Sequence, residues 1–171
     1  MEDIKKFYKK IKDINYGWHD KKGKVHEHLS EGNYQKNFKM QNIKEIKKSN
    51  YAVCWEMCEL ERNYFKKRKI NYKTIFSILT EDKNFPCHTF LVFEYQKKWY
   101  WFEASWKGKK GIHEYNTLEE ILDAIRNDYY DFAKKEYDPK KVKFYEYKKP
   151  IISRMSCNLF YYHCLHSKRI G

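Results

Sequence analysis

Three side chains in this 171-residue chain have the types and spacing for nucleophilic acyl chemistry: Cys54, His88 and Glu103. Cys54 opens an unbroken stretch, CWEMCELERNYFKKR, that the spacing predicts as a helix over 54–68. A helix N-terminus carries unpaired amide N–H groups and partial positive charge, which favour a thiolate and lower a cysteine pKa. A nucleophilic cysteine also needs a base from elsewhere in space. His88 is the candidate, since it begins a predicted strand after the break at Pro86. A carboxylate on the second imidazole nitrogen would fix the tautomer and stabilise the imidazolium, and Glu103 is placed for that. Cys58, one turn beyond Cys54, is expected in the core. Cys87 is expected on the face of its strand opposite His88, a poor position for a nucleophile.

The elements that must position these groups follow from periodicity. Residues 88–95 (HTFLVFEY) and 98–103 (KWYWFE) are apolar on both faces, as in a central sheet covered on two sides. If they form an antiparallel hairpin, the connection decides the geometry. A four-residue loop at 94–97 sets His88 opposite Glu103. A two-residue turn at Gln96-Lys97 sets His88 opposite Ser105, with Glu103 on the near diagonal. Either way His88 and Glu103 share a face, and an odd-numbered loop would separate them. Other predicted elements are an amphipathic helix over 2–14, a strand at 72–79 followed by the loop EDKNFP, and a strand at 142–147. Thr117-Leu118-Glu119-Glu120 reads as a capping box opening a helix to about 135, and 156–166 reads as a closing helix. Residues 15–50 are polar and turn-rich, with a loop and short hairpin suggested by Asn15-Tyr16-Gly17-Trp18, Asp20 and Gly23. The order is α+β, with an antiparallel sheet packed against helices. With three prolines, six glycines and no linker, residues 1–171 are expected to form one domain.

Cys54-Trp55 opening a helix, His88-Thr89-Phe90 opening a strand, and Glu103 ending a Trp/Tyr-rich strand together resemble the transglutaminase-like core of the papain-like cysteine enzymes. The blocks CWEMCELER, HTFLVFEY and WYWFEASW are similar to those of small bacterial transglutaminase-like proteins, with a weaker likeness at Tyr16-Gly17-Trp18 and at 111–115. The resemblance spans about residues 50–106. It implies a nucleophile helix packed on an antiparallel sheet, with Cys54 as nucleophile, His88 as general base and Glu103 as orienter. The wider superfamily usually has Asp where this chain has Glu103. Papain-type enzymes carry an oxyanion-hole Gln about six residues before the cysteine, where this chain has Lys48. The Cys54 backbone N–H then needs a second oxyanion donor, for which Tyr16 and Trp18 are candidates. Trp55 and Trp101 are candidates for substrate contact, and Trp99 and Trp106 for core or cleft lining. The implied reaction is acyl transfer on an amide or peptide-like bond, with no metal or organic cofactor. Hydrolysis is expected over amine transfer, because the chain has no evident accessory domain to shield a thioester.

Composition frames the alternatives. Aromatic residues make up 19% of the chain and mean hydropathy is −0.98. The first figure excludes a disordered polar chain, and no run approaches the ~20 apolar residues of a membrane span. Lys and Arg outnumber Asp and Glu by 36 to 23, a net charge of +13, yet Arg occurs only at 62, 68, 126, 154 and 169. A lysine-dominated excess reads first as a solvated surface. It also sustains the competing reading, a catalytically idle module that holds an acidic protein or nucleic acid. Nucleic-acid cleavage lacks a carboxylate-rich metal motif. Five cysteines with no apolar leader in MEDIKKFYKKIKDI are expected as reduced thiols in a cytoplasm. Cys157, His163, Cys164 and His166 are the nearest approach to a metal cluster. Adjacent His163-Cys164 is poor chelate spacing, so the segment reads as an aromatic-faced helix. His26 and His28 can share a strand face but make no site by themselves. His113 is expected in an exposed loop.

Overall fold

The computed structural model describes residues 1–80, 86–133, 136, 138–152 and 155–171. The predicted loop at 81–85 and the last two residues of the predicted helix ending at 135 lie outside the described residues. The central hairpin joins β6 (Cys87–Tyr95) to β7 (Lys98–Glu103), in the register Leu91 with Phe102 and Tyr95 with Lys98. The connection is therefore the two-residue turn. Gln96 and Lys97 take φ of +51° and +62°, the left-handed pair whose twist matches that of the strands it joins. Antiparallel pairing extends from this hairpin to β5 (Tyr72–Leu79) and β9 (Val142–Glu146) on one side, and to β8 (Gly111–Tyr115) on the other. With β10 (Lys168–Arg169) at the edge, the six-stranded order is β10-β9-β5-β6-β7-β8.

Both faces of the sheet are covered, as the continuous apolar strands require. Leu91, Phe93 and Phe102 pack on α1 (Glu2–Ile11) and α4 (Cys54–Lys67) through Ile4, Ile11, Leu60 and Phe65. The alternate residues Ile75, Phe90, Val92 and Trp101 pack on α5 (Leu118–Ala133) through Ile121, Leu122, Ile125 and Tyr129. A third cluster of Trp18, Phe38, Trp55, Phe76 and Phe160 joins the start of α4 to α6 (Cys157–Leu165). The architecture is α+β, with an antiparallel sheet between helices.

Two segments differ from expectation, and a third contains the short hairpin expected around Asp20 and Gly23. α1 stops at Ile11, not 14, and Ile14 still reaches the core from the turn that follows. Residues 111–115 form β8, so His113 is not in a loop. It packs on Trp101 and its Nε2 lies 2.7 Å from the Lys109 carbonyl oxygen. The polar stretch 15–50 folds into small pieces: β1 (Asn15–Tyr16) pairs in parallel with β4 (Tyr51–Ala52), and β2 (Trp18–His19) pairs with β3 (Val25–His26). α2 (Tyr34–Asn37) and α3 (Ile43–Ser49) complete it. α3 begins at a true capping box, Asn42 with Glu45, a signal legible in the residues themselves.

α4 has no Ser, Thr, Asp or Asn at its N-cap, Val53. Glu56 instead reaches back to accept the Val53 N–H (3.1 Å), and also accepts the Gln41 N–H (2.7 Å) and side-chain amide (3.4 Å). This buried carboxyl ties the preceding loop to the helix start and so sets where Cys54 lies. Burial pushes its pKa up to about 8, against the opposing N–H bonds. A carboxyl with a pKa higher folded than unfolded binds its proton more tightly in the folded state. Its contribution to stability therefore declines as pH rises from about 4.5 to about 8. Chemical denaturation across that range is expected to show a falling trend in the wild type that is flatter in Glu56→Gln. Parallel pH profiles for the two proteins would refute this.

Candidate active site

The site sits where the start of α4 meets the start of β6. Glu103, buried at 1% exposure, ends β7, and its two oxygens divide their work. Oε1 accepts three bonds from the chain that follows: Ser105 N–H (2.7 Å), Ser105 hydroxyl (3.0 Å) and Trp106 N–H (2.7 Å). Oε2 accepts the Nε2–H of His88 at 2.7 Å. One carboxylate oxygen is thus locked by the turn and the other holds the imidazole, which leaves Nδ1 for Cys54. Trp106 closes over the ring edge-on at 4.9 Å, keeping water from the His88–Glu103 bond. The extra methylene of Glu is accommodated because the turn residues come back to meet it.

The half-buried Cys54 is the first residue of α4. Burial alone would raise its pKa. The adjacent His88, through its ring and its imidazolium charge, outweighs it with a smaller contribution from Thr89, so the thiol lies below the ordinary cysteine value. For His88 burial works to lower the pKa, but the Glu103 charge and the bonds to Cys54 and Glu103 push it up to about 10. Burial would raise Glu103, and the His88 charge and bond with the two backbone N–H groups hold it below the usual carboxylate value. The three shifts point the same way: each group favours the charged form of its neighbour, which favours a thiolate–imidazolium pair held by the Glu103 carboxylate.

Tyr16 also reaches Cys54. The residue is 39% exposed, yet its hydroxyl lies close enough to Cys54 to feel its charge. Burial of that hydroxyl, then the charges of Cys54 and Cys87, hold its pKa well above the phenol value, so it remains a donor. Gly17 explains the close approach of this strand. A Cβ there would lie 2.8 Å from the Tyr51 ring and 2.9 Å from the His26 carbonyl oxygen.

The other candidates are elsewhere. Trp18 is fully buried, stacked on His26, and its indole N–H donates to the His28 carbonyl oxygen at 3.1 Å. It is therefore not the second oxyanion donor. Trp55 packs between Phe38 and Phe160, and Trp101 lies under α5, so neither meets substrate. Aromatic area at these positions serves the core. Gln41 is near in sequence to the papain-type glutamine position, but its amide is committed to Tyr51, Glu56 and Ser49. Cys58 is buried, and burial pushes its pKa well up. Cys87 contacts the Tyr161 hydroxyl at 2.6 Å, and burial raises its pKa too. Cys157 and Cys164 are buried in α6, whereas the His163 and His166 rings bond the carbonyl oxygens of Lys148 and Tyr162. No three His, Cys, Asp or Glu residues group for a metal among the described residues, and no described helix is long and apolar enough to cross a membrane.

Thr89, Ser105 and Trp106 are the site residues that sequence reasoning missed as such. Thr89 follows His88 on the face of β6 that α4 covers, buried beside Cys54, where it helps lower the thiol pKa. Ser105 and Trp106 carry a signal in retrospect, because a carboxylate at a strand end is commonly held by the next N–H groups in the turn. No family model, no curated protein and no solved structure matches this chain, so the Cys54–His88–Glu103 arrangement stands on its own geometry.

Proposed function

We propose that this chain is a cysteine-dependent acyl-transfer enzyme with a papain-like, transglutaminase-like core, acting on an amide or peptide-like bond. The observation that carries this is the continuous path from Glu103 through His88 to a partly exposed Cys54 at a helix N-terminus. The thiolate attacks the carbonyl carbon, and the carbonyl π electrons move to oxygen. That oxyanion accepts the Cys54 backbone N–H, which the first helical turn leaves without an acceptor, and the Tyr16 hydroxyl. His88 gives its Nδ1 proton to the leaving nitrogen as the C–N bond breaks, leaving a thioester and a neutral imidazole. Water then attacks, passes a proton to His88, and releases the acid and the thiolate–imidazolium pair. Hydrolysis is the preferred second step because Cys54 is only half-buried. The five free thiols fit a reducing, cytoplasmic setting.

Iodoacetamide alkylation of Cys54, followed by peptide mass spectrometry from pH 5 to 9, tests the reading. Reactivity persisting near pH 6 and lost in His88→Ala is expected; a Cys54 that titrates like free cysteine, indifferent to His88, would sink it. Thioester capture with hydroxylamine, using peptide amides as acyl donors, reads the chemistry directly. Tyr16→Phe is expected to slow acylation about 10²-fold, the cost of one oxyanion donor. Alkylation should change little, since His88 and Thr89 dominate the thiolate. A loss of alkylation as large as that of acylation would make Tyr16 a thiolate partner instead.

A further inference from the structure

A cleft lies along the C-terminal half of α4, lined by residues the acyl chemistry does not use. Its volume is about 910 Å³, in the upper part of the range for small-molecule sites. Lys44, Lys66, Lys67 and Lys149 surround it, none of them in a salt bridge among the described residues, with Lys149 close enough to act on the Glu59 charge. The fifth cation is Arg62, only 7% exposed. Its Nε–H donates to Glu59 at 3.1 Å, Nη2 donates to Thr74 at 2.6 Å, and the guanidinium lies 5.1 Å from the Tyr147 ring centroid. Thr74 in turn donates to the Tyr147 carbonyl oxygen. This guanidinium is clamped on three sides, yet Nη1 has no partner among the described residues. Among the described residues Glu59 is the one carboxylate in the lining, set against five cations.

A surface lysine excess explains neither the clamp nor the concavity. Fixing a buried guanidinium costs desolvation, and its unpartnered Nη1 keeps charge-assisted N–H donors held in place for an oxyanion. The rest of the lining is apolar or amide: Met40, Ile43, Pro150, Ile152, Asn42 and Asn63 among them. Among the described residues no Tyr, Phe or Trp lines it, in a chain that is 19% aromatic, so they supply no stacking platform of the kind single-stranded nucleic acid needs. We infer that this cleft binds a small polyanion bearing two or more phosphate groups, with Arg62 as the fixed fork and the four lysines as mobile counter-charges. The inference is independent of Cys54, so either proposal can fail alone.

The test is isothermal titration of the full chain with inorganic tripolyphosphate and, separately, with ATP, at two salt concentrations. Binding of one ligand per chain is expected, weakened at least tenfold in Lys66→Glu/Lys67→Glu and weakened by salt. Lys9→Glu/Lys10→Glu makes the same charge change on exposed residues of α1, outside the cleft. It should bind as the wild type does. An equal loss in both variants would mean that net charge alone attracts the anion, and the cleft would be refuted. Tripolyphosphate and ATP binding alike would locate recognition in the phosphates, and tighter ATP binding would add the apolar lining. No binding of either ligand overturns the proposal. Arg62→Lys keeps the charge and loses the fork, and it should weaken binding while circular dichroism reports a folded chain.

Discussion

Glu103→Gln is expected to cut Cys54 alkylation near pH 6.5 by about tenfold or more, and acyl transfer by about 10³–10⁴-fold, the loss seen when a triad carboxylate becomes an amide. The substitution is nearly isosteric. The Gln carbonyl can still accept the Ser105 and Trp106 N–H groups, which takes the place of Oε1. Its NH₂ group must then face Nε2 of His88 where Oε2 stood. Nε2 can meet a donor only with a lone pair, so the ring is driven to the Nδ1–H tautomer and loses its basic nitrogen toward Cys54. The Glu103 charge is also gone, and it is the largest influence raising His88 toward 10. Without the imidazolium, burial governs Cys54 and its pKa climbs. Stability should follow the same logic with the signs kept apart. A raised His88 pKa contributes stability that is whole below about 6.5 and lost as pH rises through about 10. A depressed Glu103 pKa contributes stability present above about 4.5 and lost as pH falls through its folded value. The gap in stability between wild type and variant is therefore expected to be widest at about pH 5–6 and to close toward pH 10. Equal alkylation by the two proteins from pH 5 to 8 would show that Glu103 does not control the thiol.

The second large effect is structural. Phe102→Ala is expected to cost about 3–5 kcal/mol, or roughly 10 °C in melting temperature for a chain of this size. Phe102 is fully buried and meets three rings: Phe7 at 5.9 Å, Tyr8 at 5.5 Å and Phe65 at 5.6 Å. Two of these belong to α1 and one to α4, so a single side chain joins both helices to the sheet. Its removal opens a void that rigid neighbours on β6 and α4 cannot fill. The polar ties that remain for α1 include an exposed Arg68–Asp3 ion pair at 3.2 Å and the Tyr64 hydroxyl donating to the Asp3 carbonyl oxygen. Exposed pairs of this kind contribute little. Limited proteolysis should therefore cut within residues 2–14 of the variant well before the wild type. A loss below about 1 kcal/mol, with α1 still protected, would show that the helix is held by other means.

Much of this was legible in the residues. The apolar runs 88–95 and 98–103 demanded a sheet covered on both faces, and burial of both faces is what the fold provides. Period-two alternation placed His88 and Glu103 together for any even-numbered turn, before the turn itself was known. Charged residues at the end of α4 and the absence of breakers marked that helix closely. β8 was not legible, because a short half-exposed edge strand carries no continuous apolar signal. Residues 15–50 were opaque for a similar reason. Their ladders are two residues long and owe their existence to what they pack against.

The tryptophans separate the two kinds of information most sharply. Their type announced large aromatic area, and nothing local says whether that area faces a cleft or a core. Trp18, Trp55 and Trp101 went inward, while Trp106, three residues past Glu103, came to cover the imidazole. The same holds for Tyr16, whose hydroxyl meets Cys54 only because β1 pairs with β4, immediately ahead of α4. The sequence by itself determined the helix that carries the nucleophile, the strands that carry base and carboxylate, and their shared face, because periodicity and turn parity are local properties of the chain. Only the tertiary structure decided which polar atoms complete the site, and which cations gather around Arg62, because hydrogen-bond partners and clefts arise between segments distant along the chain.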